Sequence, residues 1–139
     1  MIEKKFEIKS ESQLLAGLRH DLQELMTESG LDQKTQGELT LSVDEAMTNV
    51  IRHAYEGGQG KIEVFYRDND RQIEIVIRDE GKLFDPTTLP TPQLPPTKPG
   101  GLGVHFMKTL MDEVKYRVVD AKMNELSLIK IKRNTLKSK

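Results

Sequence analysis

The chain has 139 residues, 36% hydrophobic and 31% charged, with a formal net charge of -1. That length suits one domain around a single core; bulk charge forecasts no polyanion-binding surface, which leaves only a local basic patch open, and no direct nucleic-acid partner is expected. The absence of cysteine excludes disulfides, thiolate chemistry and cysteine-ligated zinc, and it fits a reducing compartment. Met1 to Lys5 lacks an apolar run of signal-peptide length, and no stretch approaches the roughly 20 apolar residues of a membrane span. The expectation is a single cytoplasmic domain over 1–139 with no membrane partner.

Lys5 to Lys9 alternates apolar and polar residues and reads as a short edge strand. Ser10 to Gln13 has the pattern of a helix start, with Ser10 as N-cap. Leu14, Leu15, Leu18, Leu22, Leu25 and Met26 then recur at helical spacing up to a stop at Ser29-Gly30. A second helix is expected from Leu31-Asp32 to about Tyr55, and Gly57-Gly58-Gln59-Gly60 is a turn. Lys61 to Arg67 and Gln72 to Arg78 read as two strands joined by Asp68-Asn69-Asp70. Asp79 to Gly103 holds all six prolines and has the character of a functional lid inserted in the domain. Val104 to Met111 is expected to be a third helix. Val114 to Val119 and Leu126 to Ile131 are expected to be a final strand pair around a turn at Ala121 to Asn124. The basic end, Lys130 to Lys139, reads as a strand end and a solvated tail. This order predicts a two-layer α/β sandwich: a mixed, mostly antiparallel sheet with its helices on one face.

Three segments carry candidate chemistry. On a helical wheel Leu39, Val43, Ala46, Met47, Val50 and Ala54 face the sheet, while Glu45, Asn49 and Arg52 fall within roughly 60° of one another on the other side, with His53 beside them. This is either a solvated face or half of a nucleotide site. In the second case the Asn49 amide oxygen suits a hard cation such as Mg²⁺. Glu45, one turn earlier, could deprotonate a hydroxyl nucleophile, and Arg52 could meet a terminal phosphate. Asp79-Glu-Gly81 ends an apolar strand. It is either a plain exit turn or an acceptor for an exocyclic amine such as that of adenine, with Gly81 allowing close approach to the ring. Gly100-Gly101-Leu102-Gly103 opens into a helix, where backbone N–H groups and the helix dipole can cradle phosphates. It is neither a Walker motif nor a Rossmann fingerprint.

Glu45-Ala-Met-Thr-Asn49, Asp79-Glu-Gly81 and Gly101-Leu-Gly103 resemble the asparagine box and the two glycine boxes of the GHKL ATPases, the superfamily of gyrase and the histidine kinases. The likeness is strongest with the branch of anti-sigma factor serine/threonine kinases. It extends through Asp79-Glu-Gly-Lys-Leu-Phe-Asp-Pro86, the proline-rich segment, and Gly100-Gly-Leu-Gly to Leu110-Met-Asp-Glu-Val114. The resemblance implies a Bergerat-type sandwich holding Mg·ATP under a proline-rich ATP lid. It also implies a homodimer that binds a sigma factor and phosphorylates an anti-anti-sigma (STAS-domain) protein. By the residue matches it implies Mg²⁺ at Asn49, a base at Glu45, adenine recognition at Asp79 and Gly81, and phosphate contacts at Gly101 and Gly103, with Gly100 and Leu102 in the same loop. Leu83 stands where gyrase-like members carry a second glycine. Lys98 stands near the place of an arginine found in some kinases of the branch: either it substitutes for that arginine or the phosphate contact is weaker. The alternative is a nucleotide-responsive regulator that sequesters a partner, sigma or not, with little kinase activity.

Overall fold

The computed structural model describes residues 2–88 and 107–132. Its five strands are β1 (Ile2–Lys9), β2 (Lys61–Asp68), β3 (Gln72–Asp79), β4 (Glu113–Val119) and β5 (Met123–Ile131). They form one sheet in the order β1-β2-β3-β5-β4, and each neighbouring pair is antiparallel. The expected mixed sheet is thus antiparallel throughout its described strands. The edge position of β1 is as read from its alternation.

Period-two alternation decides which residues face the helices. Ile62, Val64 and Tyr66 on β2, Ile73, Ile75 and Ile77 on β3, and Leu126 and Leu128 on β5 are buried against α1 (Leu15–Glu28) and α2 (Gln33–Asn49). The helices contribute Leu18, Leu22 and Met26 from α1 and Leu39, Val43 and Met47 from α2 to the same core. Burying each such side chain stabilises the fold by roughly 1.5–3 kcal/mol before entropy is counted.

The helix boundaries follow recognisable chemistry. Asp32 caps α2 by accepting a hydrogen bond from the Thr35 N–H at 2.8 Å. α1 ends on Gly30 at φ 79°, a left-handed position that glycine takes without strain. Ser10 is not an N-cap, contrary to the reading of Ser10 to Gln13. Its hydroxyl donates to the Gly58 carbonyl at 3.0 Å and accepts from the Gly60 N–H at 2.9 Å. The chain instead enters α1 through a 3₁₀ turn at Ser12–Leu14 whose start has no side-chain cap. Ser10 therefore ties the start of α1 to the turn that follows α2.

The helix expected to reach Tyr55 changes pitch. After Asn49 it widens into a π-helical turn over Val50–Ala54, in which the Tyr55 N–H donates to the Val50 carbonyl five residues back, at 2.9 Å. Residues 107–110 are helical, in keeping with the end of the expected third helix; its start lies outside the described residues. Asn124 is also placed differently from its reading as part of a turn: it lies within β5, opposite Asp79 of β3.

Candidate functional site

The end of α2 and the adjoining ends of β3 and β5 enclose a cleft whose lining includes Asn49, Asp79, Phe84, Tyr116 and Asn124. Ala46, Val50, Ile77 and Leu126 supply its apolar walls. An apolar cleft with a few convergent polar groups is the usual form of a small-molecule site.

Asp79 is 3% exposed. Its Oδ1 accepts from the Asn124 Nδ2 at 2.8 Å and from the Gly81 N–H at 2.9 Å. Burial pushes its carboxyl up from the usual aspartate value, against these two hydrogen bonds, which pull it down. Both donors are neutral and both reach the same oxygen, Oδ1, while no hydrogen bond from a described residue reaches Oδ2. Gly81 is needed for close approach, though the neighbour seen is protein: a Cβ there would lie 2.5 Å from the Ala54 carbonyl oxygen. The next residue, Lys82, donates its N–H to that same oxygen at 2.7 Å.

Asn49 is 6% exposed, and its Nδ2 has no hydrogen-bond partner. The wheel set Asn49 opposite the apolar stripe, on a face with Glu45 and Arg52. The fold instead turns its side chain into the cleft, at the margin of the stripe beside Ala46 and Val50. A buried amide without a partner costs about 1–3 kcal/mol, and such a group in a cleft is what a bound ligand would satisfy. The two ends of a carboxamide exchange by rotation, so this terminus can present its oxygen to a hard cation.

Glu45 stands one turn before Asn49, half-buried, with no ion-pair or hydrogen-bond partner among the described residues. Arg52 is exposed and borders a separate groove with Ser12, Thr48 and Glu56. The wider π turn advances each residue by less than an α-helix does, so Arg52 falls short of the line through Glu45 and Asn49. His53 is half-buried, its ring centroid 4.9 Å from that of Phe84, so it backs the cleft through Phe84. Lys98, Gly100, Gly101, Leu102 and Gly103 lie outside the described residues.

Three contributors were not legible as site residues. Asn124 uses its whole carboxamide in hydrogen bonds to the residues around the cleft. Tyr116 lines the cleft and hydrogen-bonds the Asn124 Oδ1 through its hydroxyl. Tyr55 braces the cleft from behind: its hydroxyl donates to the Lys61 carbonyl at 2.6 Å and accepts from the Glu80 N–H at 2.9 Å. Its ring fills the space where a Cβ on Gly60 would sit, at 2.1 Å. The usable signal for Asn124 was parity, since it shares the inward phase of Leu126 and Leu128 on β5.

Comparison with known proteins gives the family of the fold. The family described as the histidine kinase-like ATPase domain matches residues 8–130. Serine-protein kinase RsbW of Bacillus subtilis (strain 168) is 35% identical over 88 residues, which cover 56% of this chain and 54% of the relative. Serine/threonine-protein kinase BtrW of Bordetella bronchiseptica is 34% identical over 95 residues, covering 65% and 66%. A serine-protein kinase RsbW of Listeria innocua is 31% identical over 107 residues, covering 70% and 68%. The chain spans about half the length of the Bacillus relatives it matches, 54% in the case of B. subtilis. The family match takes in α2, β3 and β5, the three elements that build the cleft, and this chain belongs to the histidine kinase-like ATPase domain family.

Proposed function

We propose that this chain is an ATP-dependent serine/threonine kinase of the anti-sigma type, which binds a sigma factor and phosphorylates a STAS-domain anti-anti-sigma protein. The observation that carries the nucleotide site is the pairing, in one cleft, of a buried carboxylate and a buried carboxamide that each keep an unused hydrogen-bonding position, at Asp79 and Asn49. The relatives' names, serine-protein kinase and serine/threonine-protein kinase, support the reaction class. The sigma factor, the STAS-domain substrate, the homodimer and the cytoplasmic location rest on the sequence resemblance. Among the described residues no helix is long and apolar enough to cross a membrane.

In this reading Asp79 accepts from the adenine amine through Oδ2, and the apolar walls cover the ring. Asn49 turns its amide oxygen to Mg²⁺, a metal that accepts few protein ligands and keeps several waters. Bound Mg·ATP supplies the transferable phosphoryl group. Glu45 holds the acceptor hydroxyl and takes up its proton. By the sequence resemblance, Gly101 and Gly103, together with Gly100, Leu102 and Lys98, are the residues assigned to the phosphates. Arg52 is not part of the cleft lining and borders the separate groove with Ser12, Thr48 and Glu56, so a contact with the terminal phosphate is not assigned to it.

The test is transfer of radiolabel from ATP to a STAS-domain protein encoded beside this chain. The wild type is expected to label a serine or threonine of that substrate. Glu45→Gln is expected to retain nucleotide but lose transfer, and Asn49→Ala to lose the magnesium-dependent part of binding. Transfer by Glu45→Gln at the wild-type rate would remove Glu45 as the base, and nucleotide binding with no transfer by the wild type would select the sequestering regulator.

A further inference from the structure

Asn124 contacts more of the cleft's framework than any residue singled out from sequence. Its Nδ2 donates to the Asp79 Oδ1 at 2.8 Å and to the Lys82 carbonyl at 2.9 Å. Its Oδ1 accepts from the Phe84 N–H at 2.9 Å and from the Tyr116 hydroxyl. The two donor and two acceptor positions of the carboxamide are thereby all used. The residue is 5% exposed, so water does not substitute for these partners.

The pattern separates two kinds of polar group in one cleft. Asn49 keeps an unmatched position, whereas Asn124 has none left to offer a ligand. What Asn124 does instead is hold other groups. It occupies one oxygen of Asp79, which fixes the carboxyl rotamer and leaves the other oxygen as the acceptor. It also grips the backbone on both sides of Leu83, at Lys82 and Phe84. Those contacts set the course of the chain leaving β3 and place the Phe84 side chain on the cleft wall.

We propose that Asn124 is the positioning residue for base recognition: its carboxamide aims Asp79 at the exocyclic amine of an adenine nucleotide and fixes the Lys82–Phe84 segment beside it. This deepens the nucleotide-binding reading and rests on it. Nearby carboxamides and carboxyls are not equivalent here. An alanine removes the hold on Asp79 and on both backbone groups. Asn124→Asp keeps the shape and the acceptor for Phe84 and Tyr116, but replaces the donor facing Asp79 by a second carboxyl oxygen.

The experiment compares two probes by calorimetry on the full chain, with magnesium present: ADP, and purine riboside 5′-diphosphate, which lacks only the 6-amino group. The affinity ratio isolates the amine contact, as a double-mutant cycle does. The wild type is expected to favour ADP by about tenfold or more, the range of a hydrogen bond to a charged acceptor. Asn124→Ala and Asn124→Asp are expected to bring the ratio to within about threefold of unity, with circular dichroism showing a folded protein. A residue that only supports the fold would lower both affinities together and leave the ratio at the wild-type value, and that result overturns the proposal. If a variant binds neither probe, carbon-detected NMR titration of Asp79 in the unliganded variant decides. Its carboxyl moves to a higher pKa than in the wild type if the amide held it, and an unmoved titration overturns the proposal. Failure of the nucleotide reading itself looks different, because the wild type would then bind neither probe or show no preference between them.

Discussion

Asp79 and Glu125 are both carboxylates almost out of water, 3% and 6% exposed, yet their electrical surroundings are opposite. Asp79 has an amide and a backbone N–H for company, and burial pushes its carboxyl up. Glu125 lies on the other face of the sheet, where Arg78 Nε reaches its Oε2 and Arg117 Nε its Oε1, each at 2.6 Å. Burial alone would raise Glu125 too, but the hydrogen bonds and charges of Arg117 and Arg78 outweigh it and hold the carboxyl low. The residue that holds Asp79 is Asn124, the immediate neighbour of Glu125 on β5. One strand thus serves a saturated ion cluster with one side and an unsaturated cleft with the other. The saturated carboxylate contributes stability, whereas the unsaturated one is buried at a cost and is the group proposed above for the nucleotide.

Breaking this comparison on the cleft side should have the largest effect. Asp79→Asn is expected to weaken ADP binding by about a hundredfold, the loss of a charge-assisted contact with a donor left unmatched, while the melting temperature stays level or rises. The sign follows from the raised carboxyl. A folded-state pKa above the unfolded value contributes stability at low pH, and that contribution is lost as pH rises through the folded value. Above the folded value the ionised Asp79 is therefore a burden that asparagine removes. Paired calorimetry and thermal melts at pH 7 check both halves, and a clear fall in melting temperature would contradict the assignment.

On the other face the order reverses. Glu125→Ala is expected to cost about 1–3 kcal/mol in urea denaturation, because two guanidinium groups lose their acceptor, and to leave ADP affinity within about twofold of wild type. A depressed carboxyl contributes stability above its unfolded pKa and loses it as pH falls through the lower folded value. The difference between wild type and Glu125→Ala should accordingly shrink below about pH 4. Gly81→Ala sharpens the cleft side by backbone rather than charge. A Cβ 2.5 Å from the Ala54 oxygen forces the β3 exit away from the π turn, at about 1–3 kcal/mol, and ADP binding weakens with it. The smallest effect belongs to the open surface: Lys61→Ala breaks ion pairs with Glu7 and Glu63 at 3.5 and 4.0 Å and should change stability by less than about 1 kcal/mol.

The sheet and its helices were legible because burial imposes period two on Ile62, Val64 and Tyr66 and helical spacing on Leu18, Leu22 and Met26. Asp79 and Asn49 were legible as chemistry, though only folding shows that they share a cleft. The wheel misplaced Asn49 and Arg52 relative to each other because a regular α-helix was assumed through a segment that widens into a π turn. Asn124 escaped because Asp120 to Lys122 already satisfies the need for a turn, and a polar residue beside it reads as part of the loop. Ser10 had the composition of a cap, but its hydroxyl found partners about 50 residues away at Gly58 and Gly60, a tertiary choice that local pattern does not encode.

The most direct test of the account is calorimetric titration of ADP and magnesium into the wild-type chain beside Asp79→Asn. The account predicts saturable uptake of ADP by the wild type that Asp79→Asn loses while remaining folded. Absence of saturable heat from the wild type at about 1 mM ADP, or equal uptake by both proteins, would contradict it.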